Sequence, residues 1–132
     1  MKTPRVAKNP IEEAKRYVAN AKQLLSDKAG KEEVRYQDRK YVRMASHAAY
    51  MGVLIALDAL IAEKIKGRKA VKWYQEHLAA IDKKLLGRFN DAYDTLHLAL
   101  AYDGNLDATV VSAGMKQAED IINWVETRTA QA

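Results

Sequence analysis

With 132 residues, 48% apolar and 30% charged, the chain has the length and apolar content for one domain with its own core, spanning 1–132. It contains no cysteine, which excludes disulfides, thiolate metal sites and thiol catalysis. The net charge of +5 favours weak attraction to polyanions and is unevenly spread: residues 1–87 carry 19 basic and 10 acidic side chains, residues 88–132 carry 3 and 7.

Five segments carry helical periodicity. The first opens at Asn9-Pro10-Ile11-Glu12, a capping-box arrangement with proline at the first helical position. It runs Ile11, Ala14, Val18, Ala21, Leu25 and closes at Gly30. The second is expected from about Glu32 to Gly67, about 50 Å at 1.5 Å per residue. The third, from about Arg68 to Leu86, places Val71, Tyr74, Leu78, Ile81 and Leu85 on one stripe and ends at Gly87. Phe89, Tyr93, Leu96 and Leu100 mark a fourth, stopped by Asp103-Gly104. The fifth takes Asp107 as its cap and turns Val111, Gly114, Ala118, Ile121 and Val125 inward. No segment shows the strict alternation of a strand, so the expected fold is an all-α, up-and-down bundle of about five helices around a long central second helix.

Within that second helix, Met44–Ala62 has only Ser46, His47 and Asp58 as strongly polar residues. A helix apolar on every side belongs inside a bundle. Ala45, Ala49, Gly52, Ala56 and Ala59 form a seam of small residues that lets a neighbouring backbone approach closely, and the remaining sides call for neighbours all round. Membrane insertion is disfavoured, because a mid-bilayer Asp58 costs about 2.5–3.5 kcal/mol and the six alanines offset little of it. The first ten residues lack the apolar core of a signal peptide, so a cytoplasmic protein with no membrane partner is expected.

The stripe Arg35, Arg39, Arg43, His47 is the candidate polyanion-binding feature. Steps of four on a helix drift slowly, so three guanidinium groups and an imidazole would share one broad face, with Tyr36, Tyr41 and Tyr50 near enough to stack on bases. The simpler reading pairs Arg35 and Arg39 with Glu32, Asp38 or carboxylates of the C-terminal helices and makes His47 a satisfied core histidine. A second basic group, Lys64, Lys66, Arg68, Lys69 and Lys72, reads as a solvated helix junction. Asp94 and His97 are spaced as a carboxylate and histidine on one helix face but lack matching ligands, so neither a metal nor any other cofactor is expected. Asp58 requires a hydrogen-bond partner, from a tyrosine hydroxyl, the indole of Trp73 or Trp124, or a histidine of another helix. No phosphate loop, nucleophile triad or paired-carboxylate motif is present to indicate an enzyme.

The run RKYVRMASHAAYMGVLIALDALIAEK resembles the long central helix of HEPN-like domains, and LALAYDGNLDATVVSAGMKQAEDIINWVE resembles their final helix, entered through a tyrosine-glycine turn. The likeness covers about residues 10–128 in helix order and is nearest to the small single-domain bacterial members. Many such domains are ribonucleases in which an arginine precedes a histidine by four to six intervening residues. Here Arg43 and His47 are separated by three, Arg39 and His47 by seven, and Arg88 and His97 by eight, so no catalytic residue carries over. What the resemblance implies is a homodimeric, non-catalytic binding or interaction protein with an RNA or protein partner, such as a toxin–antitoxin pair would supply. The alternatives are a divergent ribonuclease using the Arg43/His47 region and a helical module with a small-molecule pocket in its core.

Overall fold

The computed structural model describes residues 9–62, 67 and 69–130. Helix α1 spans Pro10–Leu24; the Asn9 side chain accepts the Glu12 N–H at 2.8 Å, and π-wound turns carry the helix on through Leu25–Ala29 to Gly30 at φ 64°. Strands β1 (Lys31–Glu32) and β2 (Arg35–Tyr36) then form a small antiparallel hairpin. Helix α2 is Arg39–Ile61, α3 Val71–Ile81, α4 Lys83–Ala92 and α5 Ala108–Ala130. Helix α4 passes without interruption into a ten-residue π-wound run, Tyr93–Tyr102. The expected all-α bundle with a long second helix is what the chain adopts.

Three boundaries differ from the sequence reading. Helix α2 starts at Arg39, capped by the Asp38 side chain on Lys40 N–H, so Arg35 lies on the hairpin and not on the helix. It ends at Ile61, where Ala62 takes the left-handed conformation (φ 60°), six residues short of Gly67. The third helix is also broken at Asp82, whose extended backbone (φ −166°) and side chain accepting Leu85 N–H end α3 and cap α4. Gly87, expected to stop a helix, lies inside α4.

The core is one continuous cluster in which α1 and α5 run antiparallel across α2, tied at the surface by Lys15–Glu126 (2.8 Å) and Lys22–Glu119. The small-residue seam meets α1: a Cβ on Gly52 would stand 2.9 Å from the Ala14 carbonyl oxygen and 3.3 Å from Tyr17 Cβ. Gly114 does the same for α5, where a Cβ would meet Leu96 and Leu100 of the π run at 2.8 and 3.0 Å. Helix α2 is long and apolar enough to cross a membrane by length and composition (23 residues, mean hydropathy 1.6), and here Val42, Ala49, Val53 and Leu57 are buried in the bundle. It is covered by α1, α5 and the π run, but not on all sides. Met51, Leu54, Ile55 and Asp58 remain half-exposed along a fourth flank.

Gly52→Leu must displace the Ala14 backbone and is expected to cost about 1–3 kcal/mol. Thermal or urea denaturation checks this, and Gly87→Ala, which meets nothing within 4 Å, is the control expected to lose no stability.

Candidate functional site

The four residues of the basic stripe are all exposed, and the structure gathers the arginines in an unanticipated way. Their organiser is the turn 103–107. The hairpin pairs with it through Tyr36 N–H to Leu106 O (2.9 Å), Ala108 N–H to Val34 O (2.8 Å) and a bridge between Arg35 and Asp107. From α2, Arg39 Nε donates to the Gly104 carbonyl at 3.0 Å. Gly104 sits at φ 71°, and a Cβ there would stand 2.6 Å from Arg39 Cδ and 2.7 Å from Arg43 Nε. The close approach of two arginine stems therefore requires glycine at this position. Among the described residues, none of the three arginines has a carboxylate partner, so the pairing with Glu32, Asp38 or the C-terminal helices is not made.

His47 lies one turn beyond Arg43 and is exposed, not a core histidine. It stands where two depressions meet. The shallower, about 360 Å³, lies between Arg43, Met44 and His47 of α2 and His97, Ala101 and Tyr102 of the π run. The deeper, about 520 Å³, is the uncovered flank of α2, walled by Met51, Leu54 and Ile55 and closed by Ala70 and Val71 at the head of α3. Both share His47 and His97.

His97 was legible in the sequence only as a weak partner of Asp94, which is exposed. Its ring packs against Tyr93 (centroids 5.1 Å apart, 22°) and Tyr50 (5.1 Å, 34°), and its buried Nδ1 has no hydrogen-bond partner among the described residues. From Tyr50 the ring contacts continue through Phe89 to Tyr74 and Trp73, and His77 ends the series with Nδ1 at 2.9 Å from the Trp73 carbonyl oxygen. At the far end of the deep cleft, Asp58 has the kind of partner its position demanded: Tyr74 Oη donates to Oδ1 at 2.8 Å. Lys69 Nζ, 3.4 Å from the same oxygen, balances its charge. Lys69 also lies over the Trp73 ring at 5.3 Å and is largely buried, at 13% exposure. Lys64, Lys66 and Arg68 of the second basic cluster lie outside the described residues. Burial raises the Tyr50 phenol well above its usual range, with Tyr93 adding to the effect. Tyr74 is raised as far, first by burial and then by its bond to Asp58. Among the described residues, no group of three or more histidine or carboxylate side chains could hold a metal ion.

A family model described as a domain of unknown function, DUF5618, matches residues 9–127. Among solved structures, a protein of unknown function from Dyadobacter fermentans is similar, at 52% identity over 91% of this chain and 95% of that one, with a TM-score of 0.83. No curated protein matches.

Tyr74→Phe deletes the hydrogen bond to Asp58 and is expected to cost about 1 kcal/mol at neutral pH. The fold holds the Tyr74 phenol protonated, whereas the unfolded chain ionises it at the ordinary value of 10.0. Stability should therefore fall as pH rises above 10, and denaturant unfolding at stepped alkaline pH should show a shallower fall in Tyr74→Phe.

Proposed function

Since the chain belongs to the DUF5618 family, whose description assigns no activity, we propose its role from the site: a non-catalytic, HEPN-like binding protein that holds a polyanion along the Arg35, Arg39, Arg43 and His47 rim. The observation that carries this reading is the meeting of the Arg39 and Arg43 side chains at the Gly104 turn, to which the Arg35 backbone is bridged at Asp107, with no carboxylate partner for any of the three among the described residues. The Arg39 stem is already held by the Gly104 carbonyl and so loses little freedom on meeting a phosphate oxygen, and guanidinium forks match phosphate geometry. Single-stranded RNA is the favoured occupant, because Tyr102, 75% exposed, lies beside the rim and offers a face on which a base can stack. In a toxin–antitoxin setting the same rim would meet the partner's nucleic acid or acidic surface.

The protein works as a homodimer in this proposal. Met44 (47% exposed) and Leu98 (38%) form an apolar surface across α2 and the π run. That surface has Lys40 on its α2 side and Asp94 on the other, both exposed. A two-fold related copy would set each basic edge against an acidic one. Equilibrium sedimentation at tens of micromolar should give the dimer mass, and Met44→Glu should return it to the monomer.

Arg35→Gln with Arg43→Gln spares the Arg39–Gly104 anchor. With fluorescent single-stranded RNA, the slope of log affinity against log salt should flatten by about 0.7 for each phosphate no longer neutralised. A slope unchanged by the double substitution would remove the rim from the proposal.

A second reading, a divergent ribonuclease, has one observation in its favour: His47 is exposed beside Arg43, with His97 on the shared wall. We expect no hydrolysis, since the arginine–histidine spacing departs from the nuclease pattern of HEPN-like domains. Metal-independent RNA cleavage by the pure protein, lost in His47→Ala, would instead establish that reading.

A further inference from the structure

The deep cleft has a chemistry of its own. Its polar groups sit at its two ends, and the wall between them is apolar: Met51, Leu54 and Ile55 from α2 face Val71 from α3. The two ends differ in charge. At one, Asp58 and Lys69 form a matched pair with Tyr74 donating to the same carboxylate oxygen, so the charges of the described residues cancel at this end and the carboxylate is already hydrogen-bonded. At the other, His47 and His97 stand together with Arg43 in the adjoining depression, and no carboxylate lines either depression there. The His97 ring lines both depressions, and its buried Nδ1 has no hydrogen-bond partner among the described residues.

A ligand complementary to these walls has an apolar body and one anionic head. We propose that the cleft is a binding site for a small amphipathic carboxylate, its hydrocarbon or aromatic body between Leu54 and Val71 and its carboxylate toward His97, His47 and Arg43. At about 520 Å³ the cleft falls within the size range that encloses a small organic molecule. The aromatic series behind it gives the wall rigidity: Tyr50 is buried between His97 and Phe89, and Tyr74 between Phe89 and Trp73. Residues so packed keep one rotamer, which pre-organises the site and lowers the cost of binding. The π winding contributes as well, since π turns recur at functional positions and this run is what carries His97 to the mouth. The site goes beyond the polyanion reading: Arg35 and Arg39 line neither depression.

Calorimetric titration with 4-phenylbutyrate and with its alcohol, 4-phenylbutan-1-ol, tests the proposal on the intact chain. The acid should bind saturably with one site per chain and at least tenfold more tightly than the alcohol. His97→Phe keeps a ring against Tyr50 but removes both ring nitrogens, so it should narrow the acid's advantage over the alcohol and leave the alcohol unchanged. Leu54→Trp fills the cleft and should abolish binding of both. Should that variant fail to fold by circular dichroism, Ala70→Trp, at an exposed position on the cleft wall, serves the same purpose. The cleft-filling variant should leave the salt slope for single-stranded RNA unaltered, and Arg35→Gln alone, at a residue that lines neither depression, should flatten that slope and leave binding of the acid unchanged, so each reading can fail without the other. No saturable binding of the acid at millimolar concentration, equal affinity for acid and alcohol, or undiminished binding in a folded cleft-filled variant would overturn the proposal.

Discussion

The approach of α1 to Gly52 governs how the rest of this bundle is arranged. With no side chain at that position, the Ala14 backbone comes nearer α2 than a Cβ would permit. Ala45, Ala49 and Ala56 keep the same low profile along the helix, and all are fully buried. Two helices packed this closely present a narrow ridge to the remainder of the chain. Helix α5 covers one side of it, paired with α1 through Lys15–Glu126 and Lys22–Glu119, and the π run covers another. Helix α3 touches α2 only sparsely, and the flank carrying Met51, Leu54, Ile55 and Asp58 opens as the cleft. The open face is thus the complement of the packing face, fixed by which side of α2 has the smallest residues.

Much of this was legible in the sequence because it rests on local chemistry. The Asn9 and Asp107 caps form as their sequences indicate, with side-chain oxygens accepting Glu12 and Thr109 N–H, and the inward stripe of α5 is buried at each of its five positions. A tyrosine hydroxyl, one of the partners expected for Asp58, does bond it, although the carboxylate is 42% exposed and not buried as its place on an apolar helix suggested. The hairpin was not legible. Its turn, Glu33-Val34, carries no glycine, asparagine or aspartate, and Glu33 is held at φ 56° by contacts remote in sequence, those of Val34 and Tyr36 with the start of α5 and of Gln37 and Asp38 with the Ala29 carbonyl. Local propensity favoured continuing the helix, and tertiary hydrogen bonds outweighed it. Asp82 misled for a related reason, since its capping role shows only when the break at Asp82 and not the glycine at Gly87 is taken as the stop.

The candidate site divides along the same line. Arg39 and Arg43 share a helix face as their spacing requires, whereas Arg35 joins them by way of a strand. His97, Tyr50 and Tyr74 belong to three different elements, and no spacing within the sequence brings them together. Their ring contacts arise from the packing of α2, α3, α4 and the π run around Phe89. Periodicity identifies which residues turn inward but not which inward residues meet, so a rim on one helix could be anticipated and a cleft between elements could not.

The π run also bears on how the family can vary. A π turn spans one residue more than an α turn between its hydrogen-bonded ends. The Tyr93–Tyr102 run therefore holds surplus chain relative to an α-helix covering the same rise, and a homologue could lose one residue there by rewinding a single turn, with α4 and the Gly104 turn left at their places. Such a deletion would swing His97 away from Tyr50 while Leu100 and Gly104 kept their neighbours on α5 and α2. The length of this segment thus acts as a setting for the cleft, adjustable without rebuilding the bundle.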